Sequence, residues 1–159
     1  PFYLTWKAKE FGMNPRFIEL AGEINTAMPN FVVQKVGEAL NDIGKSIRGS
    51  KILILGLAYK KNIDDLRESP TLVIIDKLLD LGANIQYSDP FFDTIPHTRK
   101  HQLDLKSKPL NIEILNDVDI VLLVTDHDDY DYDLILKEAK LIIDTRGRFN
   151  SDNDKIVKA

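Results

Sequence analysis

Lys51-Ile52-Leu53-Ile54-Leu55-Gly56 decides the architecture of this chain. Four successive aliphatic residues with no polar alternation make a strand apolar on both faces, so it must be covered on both sides. The same kind of run recurs at Asp119–Val124 and Leu141–Asp144, and Asn84–Ser88, ended by Asp89-Pro90, reads as a further strand. Helical segments separate the runs. Ser69-Pro70 opens one that extends to about Leu81 and stops at Gly82. A loop containing Pro96 and Pro109 leads to a short helix near Asn111–Leu115, and Tyr130–Ala139 reads as another. Buried strands alternating with helices imply a parallel sheet. Right-handed crossovers then wind it doubly, in the Rossmann-like manner. The polar tail after Asn150 is expected to fray.

Upstream the periodicity changes. From Pro15 to Gly44 the apolar residues Phe17, Leu20, Ala21, Ile24, Met28, Phe31, Val32, Val36, Ala39, Leu40 and Ile43 recur at gaps of three and four. They form one helical stripe. Asn14-Pro15 reads as an N-cap with proline in the first turn, and Pro29 predicts a kink or a break. A shorter helix, Tyr3–Phe11, comes first and ends at Gly12. The fold class expected is therefore α/β, with N-terminal long helices followed by a Rossmann-like doubly wound parallel sheet. Residues 1–48 form a helical connector and 49–159 the sheet domain. The stripe either packs on the sheet domain or serves as a dimer face.

Composition narrows the function classes. In 159 residues, 43% are hydrophobic and the net charge is −4, which excludes a disordered chain. With no cysteine, disulfides, thiolate zinc sites and thiol nucleophiles are excluded within this sequence. The acidic balance argues against nucleic acid as partner. No apolar run approaches the roughly 18 residues of a membrane span, and no basic-then-apolar leader opens the sequence. A cytoplasmic location is expected. The chain begins Pro1-Phe2-Tyr3 without an initiator methionine, which suggests a piece of a longer protein.

In an open parallel sheet, ligands bind beyond the carboxyl ends of the strands. After the first strand the chain reads Gly56-Leu57-Ala58-Tyr59-Lys60-Lys61 and then Arg67-Glu68-Ser69. One glycine does not make a G-x-G-x-x-G fingerprint. Lys60, Lys61 and Arg67 ahead of a helix N-terminus suit a phosphate or diphosphate, although Asp64, Asp65 and Glu68 offset their charge. Asp89 closes the second strand, where a Rossmann acid would hold a ribose, but a turn residue before Pro90 is the plainer reading. The acidic run Asp126–Asp133 lacks the glycine and terminal glutamate of a calcium loop and reads as a helix cap. His127 is placed to line the crevice, and His97 and His101 read as loop residues. Arg146 follows the fourth strand toward the same crevice, with Arg148 beyond it. Two cationic patches on one edge favour an anionic ligand.

These residues carry a resemblance. Pro1–Ala8, Phe17–Asn25, Gly56–Lys61, Arg67–Pro70, Ser88–Pro90 and Asp144–Arg146 together resemble, in collinear order, the C-terminal half of the UDP-glucose/GDP-mannose dehydrogenase family. Pro1–Ala8 and Phe17–Asn25 are most similar to its UDP-N-acetylglucosamine 6-dehydrogenase branch. The resemblance implies a three-part enzyme: an NAD-binding Rossmann domain, a central helix that forms a homodimer, and a C-terminal domain for the UDP-sugar. Such enzymes take a sugar C6 alcohol to a carboxylate in two hydride transfers to NAD, through a cysteine thiohemiacetal and a thioester.

Residue by residue, the resemblance assigns Tyr59 and Lys60 to the UDP-sugar, with Lys60 near the diphosphate. Arg67 is assigned to the cofactor diphosphate across the cleft, and Arg146 to the nucleotide side of the substrate. No catalytic residue and no metal ligand is assigned here. The family's cysteine, aspartate, lysine and asparagine fall upstream of Pro1, so NAD is bound mainly by the missing domain and this sequence alone is expected to be inactive. The alternative is a structural dimerisation module with a vestigial nucleotide pocket. A receiver-type domain is a third reading, but Gly56-Leu57-Ala58 stands where it would need acidic residues.

Overall fold

In the computed structural model, which describes residues 2–97, 101–150 and 152–159, the first aliphatic run forms the strand β1 (Lys51–Leu55). Pro1 of the resembling stretch and Ser151 of the expected tail lie outside the described residues. β1 pairs on one side with β2 (Asn84–Ser88) and on the other with β3 (Ile120–Leu123), which pairs in turn with β4 (Ile142–Asp144). A fifth strand, β5 (Ile156–Lys158), extends the edge, giving the order β2-β1-β3-β4-β5, parallel throughout. The order reverses between β1 and β3, so the switch-point crevice opens at their carboxyl ends.

The alternation of side chains divides the core into two layers. Ile52, Ile54, Ile120, Leu122 and Ile143 face one side, with α3 (Pro70–Asp80) and the C-terminal half of α2 (Arg16–Asp42). Leu53, Leu55, Val121, Leu123 and Ile142 face the other, with α4 (Ile112–Asp117) and α5 (Tyr132–Glu138). Burying both faces explains why β1 and β3 needed uninterrupted aliphatic runs. Each sheet-domain helix starts on a side-chain cap: Ser69 accepts from Thr71 N, Asn111 from Ile114 N and Asp131 from Leu134 N. Asp131 thus confirms the acidic run as a cap.

Two expectations are narrowed and two corrected. Pro29 does not divide the long helix: α2 runs 27 residues through it, and Pro29 itself is buried. A single lost backbone bond is tolerated within a helix of this length, whose C-terminal half is anchored by burial. Its N-cap is Pro15 rather than Asn14, with no side-chain cap, and the Pro15 carbonyl accepts from Ile18 N and Glu19 N. The apolar stripe is not buried as a whole. Val32, Val36, Ala39 and Leu40 are buried, whereas Phe17, Leu20 and Ile24 are exposed, as are Tyr3, Leu4 and Trp6 of α1 (Phe2–Glu10). The C-terminal tail does not fray: Ile156 enters the core, and the Lys158 ammonium lies 2.6 Å from the buried Asp144 carboxylate.

Candidate functional site

The crevice is built where β1 and β3 end. Gly56 follows β1 at φ +86°, and a Cβ there would stand 2.4 Å from the Thr125 carbonyl oxygen just past β3. The turn's single glycine therefore permits close packing of the two strand ends. Thr125 Oγ1 donates to the Ala58 carbonyl at 2.6 Å, and Ser69 Oγ at the start of α3 donates to the Leu57 carbonyl at 2.6 Å. Next to Thr125, the Val124 carbonyl accepts from Arg146 Nε. Consecutive residues after β3 thus hold both the loop after β1 and the loop after β4. Arg146 is held from a second direction by its own N–H, which donates to Asp144 Oδ1 at 2.9 Å.

The four candidate residues occupy this edge in different states. Tyr59 is half exposed, at 47%. Lys60 is exposed and makes no ion pair among the described residues, so its ammonium faces solvent at the crevice. Arg146 is exposed but held by the end of β3. Arg67 is spoken for: its Nη2 pairs with Asp65 Oδ2 at 2.8 Å and its Nε with Oδ1 at 3.0 Å. That guanidinium holds the Asp65 carboxyl down to about 2. Lys61, Asn62 and Asp128 form a second cluster. Asn62 Nδ2 donates to Asp128 Oδ2 at 2.5 Å, and Lys61 lies 3.1 Å from Oδ1. These contacts hold the Asp128 carboxyl below its ordinary range. Arg148 stacks on the Tyr132 ring at 4.2 Å, a cation–π contact rather than a crevice group.

Asp89 is neither a free ribose acid nor a mere turn residue. Its buried carboxylate accepts from Leu57 N at 2.6 Å and Phe91 N at 2.8 Å. Burial pushes this carboxyl up, but the neighbouring His127 and the two amides outweigh it and leave it below its ordinary value. His127 does not line the crevice as expected. It is fully buried, with its ring between Phe91 and Tyr130. Tyr130 donates to the Ser88 carbonyl at 2.7 Å, and burial raises its phenol. His97 pairs with Asp104 at 3.0 Å and His101 with Asp76, in keeping with loop roles.

A cleft of about 490 Å³ opens beside this hub at the end of β2, between Ser88, Ser107, Lys108, Tyr130 and Asp131. None of Tyr59, Lys60, Arg67 and Arg146 lines it; all four are exposed and form a surface ledge beside it. Among the described residues there is no cluster of histidine and carboxylate groups that would hold a metal ion, and no helix is long and apolar enough to cross a membrane. Sequence reasoning missed Asn62. The available signal was its type, since asparagine is one of the few residues that readily adopts positive φ, here +60°.

A family model described as the UDP-glucose/GDP-mannose dehydrogenase family, UDP binding domain, matches residues 53–151. Protein CapL of Staphylococcus aureus is 32% identical over 157 residues, covering 96% of this chain and 36% of that protein. A UDP-N-acetyl-D-mannosamine dehydrogenase of Methanocaldococcus jannaschii is 31% identical over 163 residues, covering 96% of this chain and 33% of that protein. The chain thus spans about a third of the length of the curated relatives it matches. The solved structure of a UDP-D-ManNAc dehydrogenase from Pyrococcus horikoshii shares the fold, with a TM-score of 0.73 at 23% identity over 95% of this chain and 34% of that one. The narrower expectation of the N-acetylglucosamine branch is corrected, because several of the named relatives are UDP-N-acetyl-D-mannosamine dehydrogenases rather than N-acetylglucosamine enzymes. Those sugars differ in configuration at one carbon. The stretches behind the expectation, Pro1–Ala8 and Phe17–Asn25, lie outside residues 53–151.

Proposed function

This chain belongs to the UDP-glucose/GDP-mannose dehydrogenase family, and we propose that it is the UDP-binding and dimerisation portion of an NAD-dependent nucleotide-sugar 6-dehydrogenase. One observation carries the reading. The matched span, 53–151, contains the whole ledge on which Tyr59, Lys60 and Arg146 stand. On this reading Lys60, whose ammonium has no protein partner among the described residues, meets the diphosphate. Arg146, held in place by the end of β3, meets the nucleotide side of the UDP-sugar, and Tyr59 flanks them. A charge already anchored loses little freedom on binding.

NAD supplies the oxidant of the parent reaction. The turn after β1 does not fit a dinucleotide, because the space above Gly56 is filled by Thr125. This chain's contribution to NAD is then a single contact, from Arg67, once that residue leaves Asp65. The cysteine, lysine and asparagine of the chemistry belong to a part of the enzyme outside this sequence. The setting proposed is cytoplasmic, in the making of uronic-acid units for polysaccharide.

Calorimetry with UDP tests the reading. We expect binding that weakens roughly tenfold in Lys60→Ala and in Arg146→Ala. The same preparation is expected to reduce no NAD with any UDP-hexose. Silence toward millimolar UDP would sink the nucleotide role and leave the structural dimerisation module standing.

A further inference from the structure

We propose that His127 is a positioning residue for the nucleotide ledge, holding the loop after β1 through an unprotonated Nδ1 that accepts the Asn62 N–H. The inference rests on the UDP reading for its purpose, but the contact itself is independent of any ligand. Asn62 N lies 2.9 Å from His127 Nδ1. An amide N–H can only donate, so Nδ1 must present its lone pair and the ring proton must sit on Nε2. Nε2 lies 3.3 Å from the Asp89 carboxylate, with no aligned hydrogen-bond partner among the described residues. The ring is fully buried, and no solvent contact fixes its tautomer. Its orientation is set by Asn62 on one side and Asp89 on the other.

The consequence is mechanical. Asn62 stands two residues after Lys60 in the left-handed region, at φ +60°, a conformation asparagine can visit but holds only with partners. Three bonds enforce it: the amide on His127, the side-chain amide on Asp128, and the Asp128 N–H returned to Asn62 Oδ1 at 3.0 Å. Asp89 bonds Leu57 N at the other end of the same loop. His127 and Asp89 therefore clamp residues 57–62 from both ends, with Tyr59 and Lys60 presented between the clamps. Among the described residues, only the His127 bond reaches the backbone of Asn62 from inside the core.

The ring 15N signals of wild-type His127 test the geometry with no substitution. A protonated Nε2 with a lone-pair Nδ1 is expected, and a proton on Nδ1 overturns the proposal. Amide exchange then reads the clamp. His127→Leu, which offers no acceptor, is expected to speed exchange at Asn62 at least tenfold while Leu53 and Ile54 stay protected. It is also expected to weaken UDP about fivefold. His127→Asn, whose Oδ1 falls near the place of Nδ1, is expected to recover most of both losses. Unchanged exchange at Asn62 in His127→Leu, or a His127→Asn no better than His127→Leu, overturns the proposal. If wild type itself ignores UDP, the nucleotide reading falls, and the exchange and 15N results still decide the clamp.

Discussion

The two halves of α2 share one helix and one apolar stripe, yet they live in different environments. Val36 and Leu40 are wholly buried beside α3, while Phe17 on the same stripe is 89% exposed and Ile24 is 53% exposed. Burial changes over near Pro29, the position where the helix loses a backbone bond. Periodicity therefore specifies a face that needs covering, and only the neighbourhood decides what covers it. The C-terminal half is an element of the sheet domain's core. The N-terminal half, with α1, offers Leu4, Trp6, Phe17, Leu20 and Ile24 as an uncovered surface.

The comparison breaks most sharply on stability. Leu40→Ala removes a side chain with no exposed area and is expected to cost about 2–5 kcal/mol. Phe17→Ala is expected to stay within about 0.5 kcal/mol, because little of that ring leaves water on folding. Urea unfolding of the two variants decides it. Equal losses would mean that the two halves are buried alike.

The sheet was legible because β1 and β3 carry aliphatic runs that fit nothing but a two-faced burial. Ser69-Pro70 marked the start of α3 and the acidic run marked a cap for α5, although that helix was expected from Tyr130 and begins at Tyr132. Lys60 and Arg146 could be placed on one edge from topology alone. What stayed hidden depends on contacts between residues distant in sequence. His127 sits 65 positions from Asn62, and nothing local marks it as the acceptor of that amide. Arg67 is the opposite case: Asp65, two residues away, was read as offsetting the charge of the loop, and it pairs with Arg67 directly. The C-terminal strand was hidden for a second reason. Ile156-Val157-Lys158 is too short and too polar in its flanks to signal a strand, and charge contributes to its docking.

That charge gives the next largest effect and the sharpest contrast with the N-terminal end. Asp144 is buried, which by itself raises its carboxyl. The Lys158 ammonium and the amides of Phe149, Arg146 and Arg148 outweigh this and hold it below its ordinary value. A carboxyl depressed in the folded state stabilises the fold above its unfolded value, near 4, and that contribution is lost as pH falls through the folded value. Asp144→Asn is therefore expected to cost about 1–3 kcal/mol at pH 7, with the difference from wild type closing in acid. A pH series of thermal melts checks it. A gap that stays constant from pH 7 down to pH 2 would show that the carboxylate's charge contributes nothing to holding β5.

The smallest effect falls on the uncovered half. If the exposed stripe of α1 and α2 is the homodimer face, Phe17→Ser with Ile24→Ser should leave the unfolding midpoint nearly unchanged, since both side chains already meet water in the single chain. Association should nevertheless weaken about tenfold, equivalent to roughly 1.4 kcal/mol, as read by sedimentation across a concentration series. Leu40→Ala at matched folded fraction should leave association alone, because Leu40 has no exposed surface to contribute. The pair of measurements separates core from contact on one helix: the first half acts on assembly and not on folding, the second on folding and not on assembly. A wild-type chain that remains monomeric across the series removes self-association as the cover for this face. The burial contrast along α2 would then stand with a different partner to be found.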